Sequence, residues 1–211
     1  LYVEDFYGEY RAGRDISNLS RKAVETVLNS MQMADILAQK TKDLLSDPDN
    51  LSLRLLNKRR NAEYLKNRPS WDVGSGLVFI ANIQKGEYGA AVTYDLLKEL
   101  EMTEDELFDR AMDNDIRNHP PRLYDLSESV LEPHGECRNL LEEPADALAE
   151  GSGLGYVLTN SCIYWGAGAL FYPGVINRIH TQLNDNFYVI PSSIHEVIIL
   201  PASGRDPEEL V

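Results

Sequence analysis

The chain has 211 residues, 43% of them apolar and 26% charged, and a formal net charge of −14. That size and mix fit one globular domain, or one with a helical lobe, and exclude a disordered chain. No apolar run approaches the ~18 residues of a membrane helix, Leu1 to Tyr10 lacks the basic start of a secretory signal, and Cys137 and Cys162 are too few for a disulfide framework.

In chain order, Leu1 to Tyr10 is aromatic and acidic and reads as a short helix or an arm. Asp15 is a cap for the next helix. Behind it Ile16, Leu19, Val24, Val27, Leu28, Met31, Ala34 and Leu37 recur at helical spacing, one apolar face of an amphipathic helix that ends near Asp47-Pro48-Asp49. Leu51 to Asn57 alternates and predicts a strand. Lys58 to Asn67 predicts a short helix stopped by Pro69. Gly76 to Ile83 is a buried strand, and Tyr88 to Thr93 its hairpin partner.

Thr103 and Glu106 form a capping box before Leu107, Phe108, Ala111 and Met112, a helix expected to run to about Asn114. Glu132 to Gly155 reads as a surface excursion between two halves. Tyr156 to Asn160 is a strand. Ala167 to Leu183 has helical spacing, with Pro173-Gly174 inside it; the alternative is a helix starting at Pro173 as its first residue. Phe187 to Ile190 and Glu196 to Leu200 predict neighbouring antiparallel strands.

The elements predict an α+β fold, with an N-terminal helical lobe over residues 1–50 packed on a mixed or antiparallel sheet in a body over 51–211 that carries the excursion at 132–155. The start at Leu1 and the helix-opening Asp206-Pro207-Glu208-Glu209 near the end predict that this single domain is part of a longer chain.

Tyr188 to Ile198, with Pro191-Ser192-Ser193-Ile194-His195-Glu196 at its centre, resembles a bacterial family of domains of unknown function. Leu53 to Asn57 with Asn61, Leu107 to Asn114, and Val157 to Asn160 followed by Gly166-Ala167 are similar to the same family in the same order. The resemblance implies a bacterial protein and no particular activity, since the family has none established. The Glu132 to Gly155 excursion departs from the family pattern.

Of the residues able to carry chemistry, Ser192, Ser193, His195 and Glu196 are the best cluster. A serine nucleophile needs a base within hydrogen-bond reach and an acid to orient that base. Against this, neighbouring side chains of an extended segment point to opposite faces, and the serines can close a turn. His134-Gly135-Glu136-Cys137 has the start of a zinc-deaminase motif without the later cysteine pair, and His119 and His180 lack ligand spacing, so no metal is expected. Gly151 to Gly155 precedes a strand where a phosphate loop would follow one. Gly166-Ala167-Gly168 is better explained by close packing, and no cofactor is expected. Tyr164, Trp165, Phe171 and Tyr172 are pocket or core aromatics.

Residues 1–70 hold 12 Lys/Arg against 10 Asp/Glu, residues 71–150 hold 6 against 19, and residues 151–211 hold 2 against 5. The basic run is Arg54, Lys58, Arg59, Arg60, Lys66 and Arg68, which in a nucleic-acid binder would meet phosphates. The acidic chain as a whole repels polyanions. The leading expectation is a cytoplasmic bacterial binding or interaction domain without catalysis, its partner unspecified, a protein among the candidates. A hydrolase-like enzyme using Ser192 to Glu196 is the alternative, and nucleic-acid binding through Arg54 to Arg68 the second.

Overall fold

The computed structural model of the protein describes residues 7, 9–25, 48–85, 88–131, 138–144, 154–206 and 208. The chain falls into two compact units, Leu1–Asp47 and Pro48–Val211. In the first, residues 9–11 and 16–25 are helical. Asp15 caps the second helix: its carboxylate accepts from the amides of Ser17 and Asn18 at 3.1 and 3.2 Å. The expected continuation of this helix past residue 25, and its end before Pro48, lie outside the described residues.

The second unit opens with a 3₁₀ turn, Pro48–Asn50, and then builds two antiparallel sheets. The first contains β1 (Leu51–Asn57), β2 (Trp71–Gly74), β3 (Leu77–Lys85) and β4 (Tyr88–Ala91). Strand β3 is central. It pairs with β1 from Leu51↔Ile83 to Asn57↔Leu77, with β2 through its first residues and with β4 through its last. The β2–β3 turn is made by Ser75 and Gly76, both at positive φ (53° and 73°), as a two-residue hairpin loop requires. The four residues of β2 are too few to show a period. Helix α1 (Ala62–Leu65) is shorter than the expected Lys58–Asn67, and α2 (Tyr94–Glu99) is capped by Thr93.

Helix α3 (Glu104–Asn118) starts with the expected capping box and runs one turn beyond Asn114. Its apolar spacing stops at Met112 because the next buried positions are polar. Asn114 Nδ2 donates to the Leu51 carbonyl at 3.1 Å, and Asp115 Oδ2 accepts from the Leu53 amide at 2.7 Å. The helix is thereby stitched to β1 by hydrogen bonds that satisfy buried backbone groups.

The second sheet has the order β5–β6–β8–β7, with β5 at Pro121–Asp125, β6 at Tyr156–Asn160, β7 at Phe187–Pro191 and β8 at Val197–Pro201. The expected β7–β8 pair is present, with Val189 opposite Ile199. Every residue of β6 is buried. Helix α4 (Leu126–Leu131) follows β5. Of the expected excursion at 132–155, residues 138–144 and 154–155 are described. Asn139 and Leu140 there are buried; Asn139 Oδ1 accepts from the Leu123 amide of β5 at 3.0 Å.

The stretch from Ala167 to Leu183 is not one helix, nor does a helix begin at Pro173. A 3₁₀ segment, Gly166–Phe171, is followed by α5 (Val175–Leu183), separated by Pro173 and by Gly174 at φ 81°. Glycine alone enters that left-handed region without strain. The 3₁₀ segment joins the two sheets. Gly168 approaches Phe79 of β3, the Phe171 ring meets Phe79 edge-on at 5.9 Å, and Gly166 lies against Thr159 and Asn160 of β6. Phe79, Ile80, Leu107, Leu123, Leu158, Ile179 and Ile199 form the fully buried core.

The fold is therefore α+β, with helices first in the chain and antiparallel sheets after them. Among the described residues, no helix is long and apolar enough to cross a membrane.

Candidate functional site

The Ser192 to Glu196 block forms the turn between β7 and β8. Ser192 Oγ donates to Glu196 Oε1 at 3.0 Å, and Ser193 Oγ accepts from the His195 amide at 2.9 Å. The Ser193 amide closes the loop onto the Glu196 carbonyl at 3.2 Å. Half-buried His195 faces away from these hydroxyls. Its Nδ1 accepts from the Trp165 amide at 3.1 Å, so the ring proton sits on Nε2. The ring also stands edge-on to Tyr164 at 5.6 Å. The block thus holds Trp165 through the His195 ring, and it holds β6 through the His195 carbonyl, which accepts from Thr159 Oγ1 at 2.7 Å.

What the 161–165 segment helps enclose is a cavity of about 350 Å³. Its walls come from the start of β1 (Asp49 to Leu53), Gln84 of β3, the end of α3 (Asp115, Asn118, His119), and the chain leaving β6 (Asn160, Cys162, Tyr164, Trp165), with Tyr172 beyond. At one wall, three buried polar side chains interlock. Asp115 accepts from the Leu53 amide and from His119 Nδ1, the latter at 3.2 Å. A carboxylate only accepts, so Nδ1 carries the proton in this contact. The Tyr172 hydroxyl is hydrogen-bonded with Asp115 and Asn160; burial, and then the neighbouring Asp115 charge, push its phenol far above the usual range. Asn160 Nδ2 donates to the Tyr164 carbonyl at 2.9 Å, while its Oδ1 accepts from the Cys162 thiol at 3.3 Å.

Two residues of the 161–165 segment carry an unusual backbone. Ile163 (φ 63°) and Trp165 (φ 59°) lie in the left-handed region, which a β-branched residue rarely enters. Such strain persists only where surrounding structure imposes it; here Asn160 and His195 hold the segment. Asn50, also in the cavity wall, has a buried side-chain nitrogen without a hydrogen-bond partner among the described residues.

The other sequence candidates fall elsewhere. His134 to Cys137 and Gly151 to Gly153 are outside the described residues. Gly166-Ala167-Gly168 is packed, not open: a Cβ on Gly166 would come within 2.2 Å of Thr159 Oγ1 and 2.7 Å of the Asn160 amide. Of the four aromatics, Tyr164, Trp165 and Tyr172 line the cavity, whereas Phe171 packs on Phe79. In the basic run, Arg54 stacks on Trp165 at 4.2 Å, Lys58 pairs with Asp72 at 2.7 Å, Lys66 pairs with Glu63, and Arg68 stacks on Tyr64 at 3.7 Å. Among the described residues, no group of three or more His, Cys, Asp or Glu is placed to hold a metal ion. Sequence reasoning missed Asp115, Asn160 and Cys162 as wall residues. The one available signal was Asp115 and His119 four apart at a helix end.

Comparison with curated proteins and with solved structures finds no match. The model of a family of unknown function, DUF5688, matches residues 1–211, and the chain belongs to that family.

Proposed function

We propose that the protein is a cytoplasmic bacterial domain that binds a small polar molecule in the cavity between β1, the end of α3 and the 161–165 segment. One observation carries this reading. Asp115, Asn160 and Tyr172, each at most 5% exposed, are interlocked beside a cavity of about 350 Å³, at the small end of the range for ligand sites. Fixed polar groups beside exposed aromatic rings are what a small polar ligand requires. The Cys162 thiol, a hydrogen-bond donor outside any disulfide, supports a reducing compartment. The serines of 192–196 support a turn and not a nucleophile, since both hydroxyls are engaged within the turn. The pairing of Arg54, Lys58, Lys66 and Arg68 supports a structural role for the basic run.

The test uses tryptophan emission. Of the two tryptophans, Trp165 lines the cavity and Trp71 does not. In a Trp71→Phe variant, amino acids, sugars, nucleosides and small amides are titrated at up to millimolar concentration. A saturable change in emission, lost when Ser52→Phe fills the cavity, is the expected result. A folded protein that responds to no member of the panel would overturn the reading.

A further inference from the structure

We propose that Cys162 is a nucleophile served by His119, and that the cavity takes a small neutral or cationic carboxylic ester or amide whose acyl group passes through a thioester on Sγ. This rests on the cavity being the ligand site.

Strands β5 and β6 pair as far as Pro121↔Asn160, and the Ser161 amide extends the ladder onto the Pro120 carbonyl at 2.9 Å. Beyond Ser161 the chain turns, the Ile163 amide returning to the Asn160 carbonyl at 3.1 Å, and Cys162 is linked to His119 along one cavity wall through the hydrogen bonds of Asn160, Tyr172 and Asp115. Both residues line the cavity and both are partly exposed. Asp115 holds His119 Nδ1 at 3.2 Å, which leaves the Nε2 lone pair as the basic site. Asp115 is 3% exposed and is itself anchored by the Leu53 amide, so it is a positioning residue. Its role is to fix the imidazole tautomer and orientation.

Cys162 rests as a thiol, its Sγ donating to Asn160 Oδ1 at 3.3 Å and to the Tyr164 carbonyl at 3.6 Å. A change of χ1 frees it toward the cavity; nucleophile–base contacts commonly form only once substrate is bound. Sγ then attacks the carbonyl carbon as its proton passes to His119 Nε2. The tetrahedral adduct collapses, and the departing alcohol or amine takes that proton. Water attacks the thioester, its proton returns through His119 to Sγ, and a carboxylic acid leaves. The carboxylates of Asp49 and Asp115 in the wall select against an anionic acyl donor.

The test uses 4-nitrophenyl acetate on the full chain in a Cys137→Ser background, with Cys162 the sole thiol. The expected result is release of nitrophenolate with an acetyl adduct on Cys162, absent in Cys162→Ala. His119→Gln slows acetylation by about 10²–10³-fold. In urea, where the pair is apart, Cys162 of both proteins reacts at the same rate, a control that a folding defect would not pass in the native buffer. Acetylation as fast in His119→Gln as in the parent, or an adduct elsewhere, overturns the proposal. A saturable Trp165 response without acetylation of Cys162 overturns the thiol chemistry and leaves the binding reading standing; failure of both experiments overturns both.

Discussion

Tyr172 concentrates the electrostatics of the cavity wall in one hydroxyl. Burial first, and the Asp115 charge second, hold its phenol protonated far above the ordinary value of about 10. Tyr156 is shifted the same way by burial and by Asp125. In the unfolded chain both phenols ionise at the ordinary value. Their contribution to stability is therefore complete below about pH 10 and is lost as pH rises above it. Urea midpoints measured across that range should fall, and Tyr172→Phe should fall less steeply while costing about 1 kcal/mol at neutral pH for its lost hydrogen bond. Gly166 has a different basis. The Cβ of Gly166→Ala would meet Thr159 Oγ1 at 2.2 Å and the His195 carbonyl at 2.5 Å, the latter backbone that cannot swing aside. We expect a loss of about 3 kcal/mol or more in thermal unfolding. The half-buried His195 ring accepts from the Trp165 amide, a partner thirty residues away that local spacing does not show. His195→Ala should cost about 1 kcal/mol, read by urea unfolding, because that amide is only partly shielded from water.

At the scale of elements, α3 shows both what local chemistry specifies and where it stops. Its start is a local matter: the Thr103 hydroxyl accepts from the Glu106 amide, and the Glu106 carboxylate accepts from the Thr103 amide at 2.8 Å. Thr103→Ala should lower stability by about 1 kcal/mol in urea unfolding. The Thr103 amide, and after it the Thr103 hydroxyl, hold the Glu106 carboxyl below its usual value. The box therefore contributes above the ordinary carboxylate range and loses its contribution as pH falls through it, which acid titration of wild type against Glu106→Ala measures by the narrowing gap in midpoint. The helix end was not legible, because Asn114 and Asp115 are buried by partners on β1, sixty residues away in sequence. The division of Gly166 to Leu183 into a 3₁₀ segment and a helix follows from Pro173-Gly174. Spacing alone cannot show that the apolar residues on either side face different neighbours.

For the whole molecule, a net charge of −14 outweighs a basic run whose Arg54, Lys58, Lys66 and Arg68 are already stacked or paired within the fold. The protein should not retard single- or double-stranded nucleic acid in a gel at near-physiological salt, and Arg59→Glu with Arg60→Glu should change nothing. A shift abolished by that double variant would reverse the conclusion.

The sequence by itself determined the α+β class, the cap at Asp15, the capping box of α3, the strands β1, β3, β6, β7 and β8, and the turn that follows Pro191. Each depends on spacing, propensity or hydrogen bonds within a few residues. Only the tertiary structure decided that β5 lies beside β6, that a 3₁₀ segment joins the two sheets, and that Asp115, His119, Asn160, Cys162 and Tyr172 share one cavity. Those residues come from three stretches of chain with no common spacing. Their meeting is set by strand register and by buried polar side chains that satisfy the backbone of another element, which no local pattern records.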